Sequence, residues 1–184
     1  MGFVIRAMKV LLSLVVFAGA LLWFAARRGD RGYFEEEVTI ARPPSVVFRW
    51  LTTDELLRHW ISDLNRLERT GGSPAQLNSV YVIDEFIESQ RVLLVARTVR
   101  VTPNQELQFA VTPAAEGIAG FHTDARIDLL PGDEYTQVSF SSHTSYSTLG
   151  SKIFEPILTY AARRKVREDL RRLKIMIEAE PASR

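Results

Sequence analysis

The most constraining feature of this sequence is a series of alternating apolar segments, divided by turn residues and followed by one long helical repeat. Five segments alternate between apolar and polar residues, at about 77–87, 91–101, 106–112, 118–130 and 134–146. The residues between them favour tight turns, namely Glu88-Ser89-Gln90, Pro103-Asn104 and Pro131-Gly132-Asp133. This spacing predicts consecutive antiparallel hairpins.

The chain before these segments predicts one further strand and two short helices. Phe34, Val38 and Ile40 alternate along a strand that ends at Pro43-Pro44. Helical spacing follows in 45–51 and 54–61, where Asp54 can act as an N-cap. Gly and Pro in 71–74 then predict a turn.

The last part of the chain, from about Ser151 to Ala179, predicts a long amphipathic helix. Its expected apolar stripe consists of Ile153, Ile157, Ala161, Val166, Leu170, Leu173 and Ile177. Pro156 is expected to kink or delay the first turn. The basic run Arg163-Arg164-Lys165-x-Arg167 is interrupted by Glu168 and Asp169, which predicts a solvated helix face.

Closing each hairpin at its turn predicts which side chains share a face of the sheet. The expected opposed pairs are Arg91 with Ile87, Ala96 with Val111, Thr98 with Phe109, Ile127 with Thr136, Ala125 with Val138, Thr123 with Phe140 and Phe121 with Ser142. These pairs give the sheet one mainly apolar face. Only the C-terminal helix is long enough to cover such a face.

The sequence therefore predicts an α+β helix-grip fold, in which a curved antiparallel sheet wraps around the C-terminal helix. The motif Val38-x-Ile40-x-Arg42-Pro43-Pro44-x-x-Val47-Phe48-x-x-Leu51-Thr52, with Trp60 and the helix end Leu170-x-x-Leu173-Lys174, resembles the START-like superfamily. This superfamily is also called polyketide cyclase/dehydrase, Bet v1-like or SRPBCC. The resemblance covers about Phe34 to Glu180 and implies a cavity for an apolar small molecule.

Residues 10–26 form an apolar segment of 17 residues without a charge. As a helix it would rise about 26 Å, enough to cross a hydrocarbon core. Residues 1–32 are therefore expected to hold one transmembrane anchor, and residues 33–184 the ligand-binding domain. The alternative is a signal peptide that is cleaved after Ala18-Gly19-Ala20.

Basic residues around this segment favour a cytoplasmic domain on the plasma membrane. Arg27, Arg28 and Arg31 follow the segment closely, whereas Arg6 and Lys9 precede it. An extracytoplasmic or secreted domain remains the alternative. The formal net charge of +1 argues against a nucleic-acid partner.

Motifs that would identify an enzyme are missing from the sequence. It contains no Gly-rich phosphate loop, no HExxH and no GxSxG, and its acidic residues and histidines lack metal-ligand spacing. The absence of cysteine removes thiol catalysis and thiolate metal sites. Neither a metal nor a cofactor is expected, and His122 and His143 are expected on the solvent side.

The expected ligand contacts lie on the apolar face of the sheet. They are Val82, Asp84, Leu94, Thr98, Phe109, Phe121, Thr123, Phe140 and Ser142. Glu36 and Asp84 are also candidate catalytic residues, because a carboxylate in an apolar cavity is paired, exposed at its mouth, or raised in pKa.

Three functions remain open at this point. The chain could bind a lipid, isoprenoid or polyketide-like molecule, act as a cyclase- or hydratase-like enzyme through Asp84 or Glu36, or be an interaction domain without a ligand. A void of roughly 300 Å³ or more beneath the long helix would favour ligand binding over interaction.

Overall fold

The computed structural model describes residues 32–74, 76–87, 89–114 and 120–181. Its elements in chain order are β1 (Gly32–Ile40), α1 (Pro44–Thr52), α2 (Asp54–Trp60), β2 (Leu64–Gly71), β3 (Val80–Ile87), β4 (Gln90–Thr102), β5 (Glu106–Pro113), β6 (Phe121–Pro131), β7 (Thr136–Tyr146) and α3 (Leu149–Ala179). The strands form one antiparallel sheet in the order β1-β7-β6-β5-β4-β3-β2. This confirms the predicted α+β class.

The expected anchor and the alternative signal peptide both fall in residues 1–31, outside the described residues. Within the four described ranges, no helix combines the length and the apolar character that a bilayer crossing requires.

β2 is the one described strand that the sequence pattern does not predict. Its apolar residues are Leu64 and Leu67, and its other positions are mostly charged or polar. The pairing of β2 with β3 is also irregular, between Leu64 and Arg66 and between Arg69 and Gly71. The register shift puts Leu64 and Leu67, which are three residues apart, on the same face of the sheet, so the strand lacks the period of two that predicts a strand.

The β3–β4 hairpin differs from the prediction by one residue. Ile87 lies opposite Gln90 rather than Arg91, so that two residues form the turn, and Ser89 adopts a left-handed φ of 66°. A slip of one residue exchanges the two faces of a strand. The predicted inward positions of Val82 and Asp84 are therefore wrong, and Tyr81, Ile83 and Glu85 share a face with Leu94 and Ala96.

The other two predicted hairpins keep their faces. The pairs Thr98 with Phe109 and Ala96 with Val111 are confirmed in β4–β5. In β6–β7, Ile127 lies opposite Phe140, four residues from the expected partner. The turn there includes Gly132–Tyr135, closed by a 2.8 Å hydrogen bond from Gly132 N to Tyr135 O. An even shift changes the partners but leaves each side chain on its predicted face.

The core lies between the helices and the face of the sheet that we term the inner face, which carries Tyr81, Ala96, Phe109, Ala125 and Phe140. Fully buried side chains join strands and helices in this core, among them Ile40, Val47, Leu107, Val138, Leu173 and Ile177. Since these residues come from β1, α1, β5, β7 and α3, the core connects the first and last elements of the domain.

The structure corrects the predicted apolar stripe of α3. Val166, Leu170, Leu173 and Ile177 face the core, but Ile153 and Ile157 are exposed. Ile157 and Leu173 are sixteen residues apart, so at roughly 100° per residue they point about 160° away from each other. The predicted stripe thus combines residues from two opposite sides of the helix.

The first turn of α3 begins at Leu149 and is capped by Thr148. The Thr148 hydroxyl accepts a hydrogen bond from Ser151 N at 3.1 Å, and the Ser151 hydroxyl accepts one from Thr148 N at 3.2 Å. This reciprocal capping satisfies backbone donors that the helix leaves free. Pro156 lies inside the helix, which continues past it to Ala179.

A candidate ligand cavity

The inner face of the sheet and helices α1 and α2 line a cavity of about 200 Å³. No described residue of α3 lines it, so the predicted position between the sheet and the C-terminal helix is wrong. Sixteen residues line it, and eleven of them come from the sheet. They are Leu51, Thr52, Leu57, Trp60, Ile61, Leu67, Tyr81, Ile83, Ala96, Thr98, Leu107, Phe109, Val111, Ala125, Ile127 and Phe140.

Two small side chains in the middle of the sheet account for the open space. Ala125 pairs with Phe109 on one side and with Ser142 on the other. Ala96 lies between Tyr81 and Val111 in the same way. A methyl group at each position leaves a gap that the large neighbouring side chains bound but do not fill.

The lining is almost entirely apolar, and its polar atoms bind mainly to other parts of the protein. Trp60 Nε1 donates to Trp50 O at 3.2 Å, and the Thr52 hydroxyl donates to Phe48 O at 2.7 Å. The Tyr81 hydroxyl donates to Asp54 Oδ1 at 3.2 Å. Thr98, with 1% of its surface exposed, is the other polar residue that the sheet contributes. Such a site suits an apolar guest with one or two polar atoms.

The structure places the predicted ligand contacts in three groups. Thr98, Phe109 and Phe140 line the cavity. Four others lie on the inner face outside the cavity lining, namely Leu94, Phe121, Thr123 and Ser142. Of these, the Phe121 ring contacts Tyr146, and the Thr123 hydroxyl is hydrogen-bonded to that of Thr144 at 2.8 Å. Val82 and Asp84 lie on the opposite, convex face, so these two predictions are wrong.

The helical part of the lining is not among the predicted ligand contacts. Leu57, Trp60 and Ile61 face the cavity from α2 and the residue after it. Their spacing of three and four residues places them on one side of a helix, and this signal was present in the sequence. Tyr81 and Ile83 were missed because of the one-residue slip in the β3–β4 hairpin.

The candidate catalytic residue Asp84 is held in an ion pair on the convex face. Its carboxylate accepts hydrogen bonds from Arg91 at 2.9 and 2.8 Å and from Asn65 Nδ2 at 2.7 Å. These hydrogen bonds, Arg91's first, lower the pKa of Asp84 to about 2. The covering side chains of Arg91 and Asn65 explain why Asp84 is little exposed although it lies outside the core.

Glu36, the other candidate catalytic residue, does face inwards, opposite Phe140. It accepts hydrogen bonds from Arg163 Nε at 2.5 Å and from Arg167 Nε and Nη2 at 2.9 and 2.7 Å. Hydrogen bonding to Arg167, and then to Arg163, lowers the pKa of Glu36 to about 2 despite the opposing effect of burial. Glu36 is therefore an ionised link between β1 and α3, and it does not line the cavity.

A further inward carboxylate, Glu85, belongs to a buried charged cluster. Lys165 Nζ lies 3.1 Å from Glu85 Oε2, 2.9 Å from Asp169 Oδ2 and 3.0 Å from Ser62 O. Burial raises the pKa of Glu85, although the charge of Lys165 opposes this increase. Burial lowers the pKa of Lys165, but the charges of Glu85 and Asp169 outweigh it and raise the pKa overall. The predicted solvated position of Lys165 and Asp169 is therefore wrong.

His122 and His143 are exposed, as predicted. His122 Nε2 lies 3.3 Å from Asp124 Oδ1. Among the residues that the structure describes, no three acidic or histidine side chains are grouped to hold a metal ion.

A family model described as polyketide cyclase/dehydrase and lipid transport matches residues 31–178. No curated protein matches the sequence. Among solved structures, the Zhui aromatase/cyclase from Streptomyces sp. R1128 superposes with a TM-score of 0.68 at 16% identity, over 79% of this chain and 93% of that chain.

A START superfamily protein from Mycobacterium smegmatis gives a TM-score of 0.64 at 13% identity, over 79% of this chain and 97% of that one. A conserved protein from Geobacillus kaustophilus gives 0.61 at 17% identity, over 79% and 94%. At these identities the similarity shows a shared fold.

Proposed function

Because the chain belongs to the polyketide cyclase/dehydrase and lipid transport family, we propose that it binds a small apolar molecule between its sheet and helices α1 and α2. The observation that supports this proposal is the cavity of about 200 Å³ with its apolar lining. Thr98 and Tyr81 are the sheet residues that could orient a polar atom of the guest.

The size of the cavity restricts the proposed guest. An apolar cavity of about 150 Å³ can bind benzene, and drug-sized ligands occupy about 300 Å³ or more. The present cavity is smaller than roughly 300 Å³, and a void below that volume favours an interaction domain, so the binding proposal rests on the apolar lining and not on the volume. A guest with one or two rings, or a short isoprenoid, therefore fits the space better than a two-chain lipid.

Binding is proposed in preference to catalysis because of where the candidate carboxylates lie. Asp84 is on the convex face, and Glu36 is paired with Arg163 and Arg167 away from the cavity. The described lining residues include no charged side chain that could serve as an acid or base.

The decisive experiment extracts bound small molecules from the purified full chain in lipid nanodiscs and identifies by mass spectrometry those that are absent from empty nanodiscs of the same lipids. Ala125→Leu fills the cavity, whereas Ala110→Leu makes the same change on the neighbouring strand β5, on the convex face. We expect an apolar molecule in the wild type and in Ala110→Leu, and its loss in Ala125→Leu. Equal amounts in all three proteins, or none in any, would contradict the proposal.

We also propose that residues 10–26 anchor the domain to the plasma membrane with the domain on the cytoplasmic side. An anchor would keep the binding site close to apolar molecules dissolved in the bilayer. The full chain should then remain in the membrane fraction during alkaline carbonate extraction. Release into the soluble fraction, with a mature N-terminus after Ala20, would indicate the cleaved signal peptide instead.

A further inference from the structure

The first half of α3 carries exposed apolar side chains on one side. We term these residues the outer stripe: Ile153, Phe154, Ile157, Leu158 and Tyr160, with 40, 56, 65, 38 and 67% of their surfaces exposed. At 100° per residue they span an arc of about 160°. Contiguous exposed apolar groups of this kind mark interaction surfaces in soluble domains.

The outer stripe is not part of the side of α3 that packs against the sheet. The side of α3 that meets the sheet is formed by other residues, including Ser151, which is buried, and Thr159, whose side chain lies close to Tyr146. Glu155, the acidic residue of this part of the helix, accepts a hydrogen bond from Thr159 at 3.3 Å. The apolar residues of the outer stripe are therefore exposed on a side of α3 different from the one that meets the sheet.

The chain connectivity limits how far the N-terminal apolar segment can lie from the end of the sheet where α3 begins. β1 begins at Gly32, which lies opposite Thr144, and β7 ends at Tyr146, three residues before α3 begins at Leu149. A Cβ atom on Gly32 would lie 3.1 Å from the Tyr146 ring. Five residues, 27–31, join the apolar segment to Gly32, and such a linker spans at most about 18 Å.

We propose that the outer stripe docks on the surface of a lipid bilayer, with α3 lying along the interface. This inference rests on the membrane anchor proposed above. A helix of the interfacial kind buries its apolar face about 5–10 Å into the headgroup region. Tyr160 suits the interface because its ring is apolar and its hydroxyl can remain hydrated.

A bilayer explains both apolar surfaces together, whereas the N-terminal segment alone does not. Residues 10–26 are apolar around the whole circumference of a helix, so packing one side on the outer stripe would leave the other sides in water. Lys152 on α3, and Arg27, Arg28 and Arg31 in the sequence between the apolar segment and β1, carry the charge that anionic headgroups attract.

The absence of cysteine makes a site-specific test possible. Ile157→Cys places a single thiol in the stripe, and Leu130→Cys places one on a side chain of similar exposure, 52%. Leu130 is nine residues from Phe121 along β6, about 30 Å from the end of the sheet where α3 begins. Each full-length variant carries an environment-sensitive nitrobenzoxadiazole dye and is reconstituted into phosphatidylcholine/phosphatidylglycerol vesicles.

We expect the dye at position 157, but not at 130, to emit at shorter wavelength and to be quenched severalfold by nitroxide-labelled lipids. Water-like emission at both positions, in protein that floats with the vesicles, would overturn the docking proposal and leave the anchor intact. A blue shift at 157 without lipid quenching would also overturn the docking proposal. It would indicate that residues 10–26 or a second copy of the protein packs on the outer stripe. Failure to float with the vesicles would refute the anchor and the docking together, and cavity binding is tested separately by the Ala125→Leu extraction.

Discussion

Lys165 is held inside the protein by oxygen atoms from two distant parts of the chain. Its partners include Glu85 on β3 and Asp169 on α3, and all three side chains are nearly inaccessible. Removing the cation would leave two carboxylates buried near each other without a counter-charge. Such a change is far more harmful than the loss of an exposed ion pair.

We therefore predict that Lys165→Met lowers the free energy of unfolding by about 3–5 kcal/mol. The neighbouring Arg164→Met is the matched control, because Arg164 pairs with Glu168 in an exposed position at 3.7 Å. It should cost about 0–1 kcal/mol. Urea unfolding of the full chain measures both, and similar losses for the two variants would show that the cluster is not an essential buried pair.

The ion pairs of Glu36 should make the stability of the folded protein depend on pH. Its pKa is lowered from 4.5 to about 2 in the folded protein, so its ion pairs stabilise the fold above about pH 4.5. This contribution is lost as pH falls from 4.5 towards 2. Glu36→Gln should therefore lower Tm at pH 7, by an amount equivalent to about 1–2 kcal/mol, and the difference from wild type should shrink below pH 4.5.

Thermal unfolding of the full chain between pH 3 and pH 7 tests this expectation. Glu37→Gln, one residue along β1 on the exposed side, is the control and should change Tm little. A Tm difference for Glu36→Gln that stays constant across the range would argue against the Arg163 and Arg167 pairing.

At the level of secondary-structure elements, Arg42 connects the end of β1 to the end of α3. Its Nη2 atom donates to the carbonyl oxygens of Glu178 and Glu180 at 3.0 and 2.7 Å. Ala41 N donates to the Glu178 carboxylate at 2.8 Å, and Trp50 Nε1 donates to Glu180 Oε2 at 2.9 Å. The two Arg42 bonds satisfy carbonyl groups that a helix leaves free at its C-terminus. The motif residue Arg42 thus acts as a cap for a helix more than 130 residues away.

We predict that Arg42→Ala destabilises the protein by about 1.5–3 kcal/mol and speeds amide hydrogen exchange in the last turn of α3. Exchange in the middle of α3 should change less, since the core residues there are retained. Arg66→Ala removes an exposed pair with Glu68 and serves as the control. Uniform acceleration along the whole helix would contradict a role confined to the cap.

The elements with strong periodicity could be predicted from the sequence, but details set by turn geometry could not. β1, β3 to β7 and the long helix follow from alternation and helical spacing. The β3–β4 register depended on whether two or three residues form a turn in which Ser89 takes φ 66°. That choice moved Asp84 to the convex face and placed Glu85 on the inner face, where it pairs with Lys165 outside the cavity lining.

The candidate site was predicted in part for the same reason. Thr98, Phe109 and Phe140 come from hairpins whose faces were correct, and all three line the cavity. Trp60 and its neighbours on α2 could not be assigned to it, because the packing of short helices on a sheet depends on contacts between distant residues. The core-facing side of α3 was predicted incorrectly, because the pattern of polar and apolar residues alone does not reveal which of two opposite helix faces meets the sheet.

For the molecule as a whole, the cavity implies a balance between stability and binding. Natural proteins gain about 0.5–2 kcal/mol when a void is filled by a side chain that fits. We predict that Ala125→Val stabilises the domain by about 1 kcal/mol and raises Tm by about 2–4 °C, while the guest binds more weakly.

Calorimetry and small-molecule extraction on the same preparations test this prediction, with Ala110→Val on the convex face as the control. A lower Tm for Ala125→Val with the guest retained would indicate that the space beside Ala125 is already closed by its neighbours.

The position of β1 in the sheet determines when it can fold during synthesis of the chain. β1 hydrogen-bonds to β7, which emerges from the ribosome about a hundred residues later, as the contact between Glu35 and Ser139 illustrates. At about 5–20 residues per second, synthesis leaves the first strand without its partner for roughly 5–20 s. The nascent chain therefore cannot complete its fold in order from the N-terminus. The first strand must wait unpaired until β7 has been synthesised, and during that time its free edge is open to incorrect pairing.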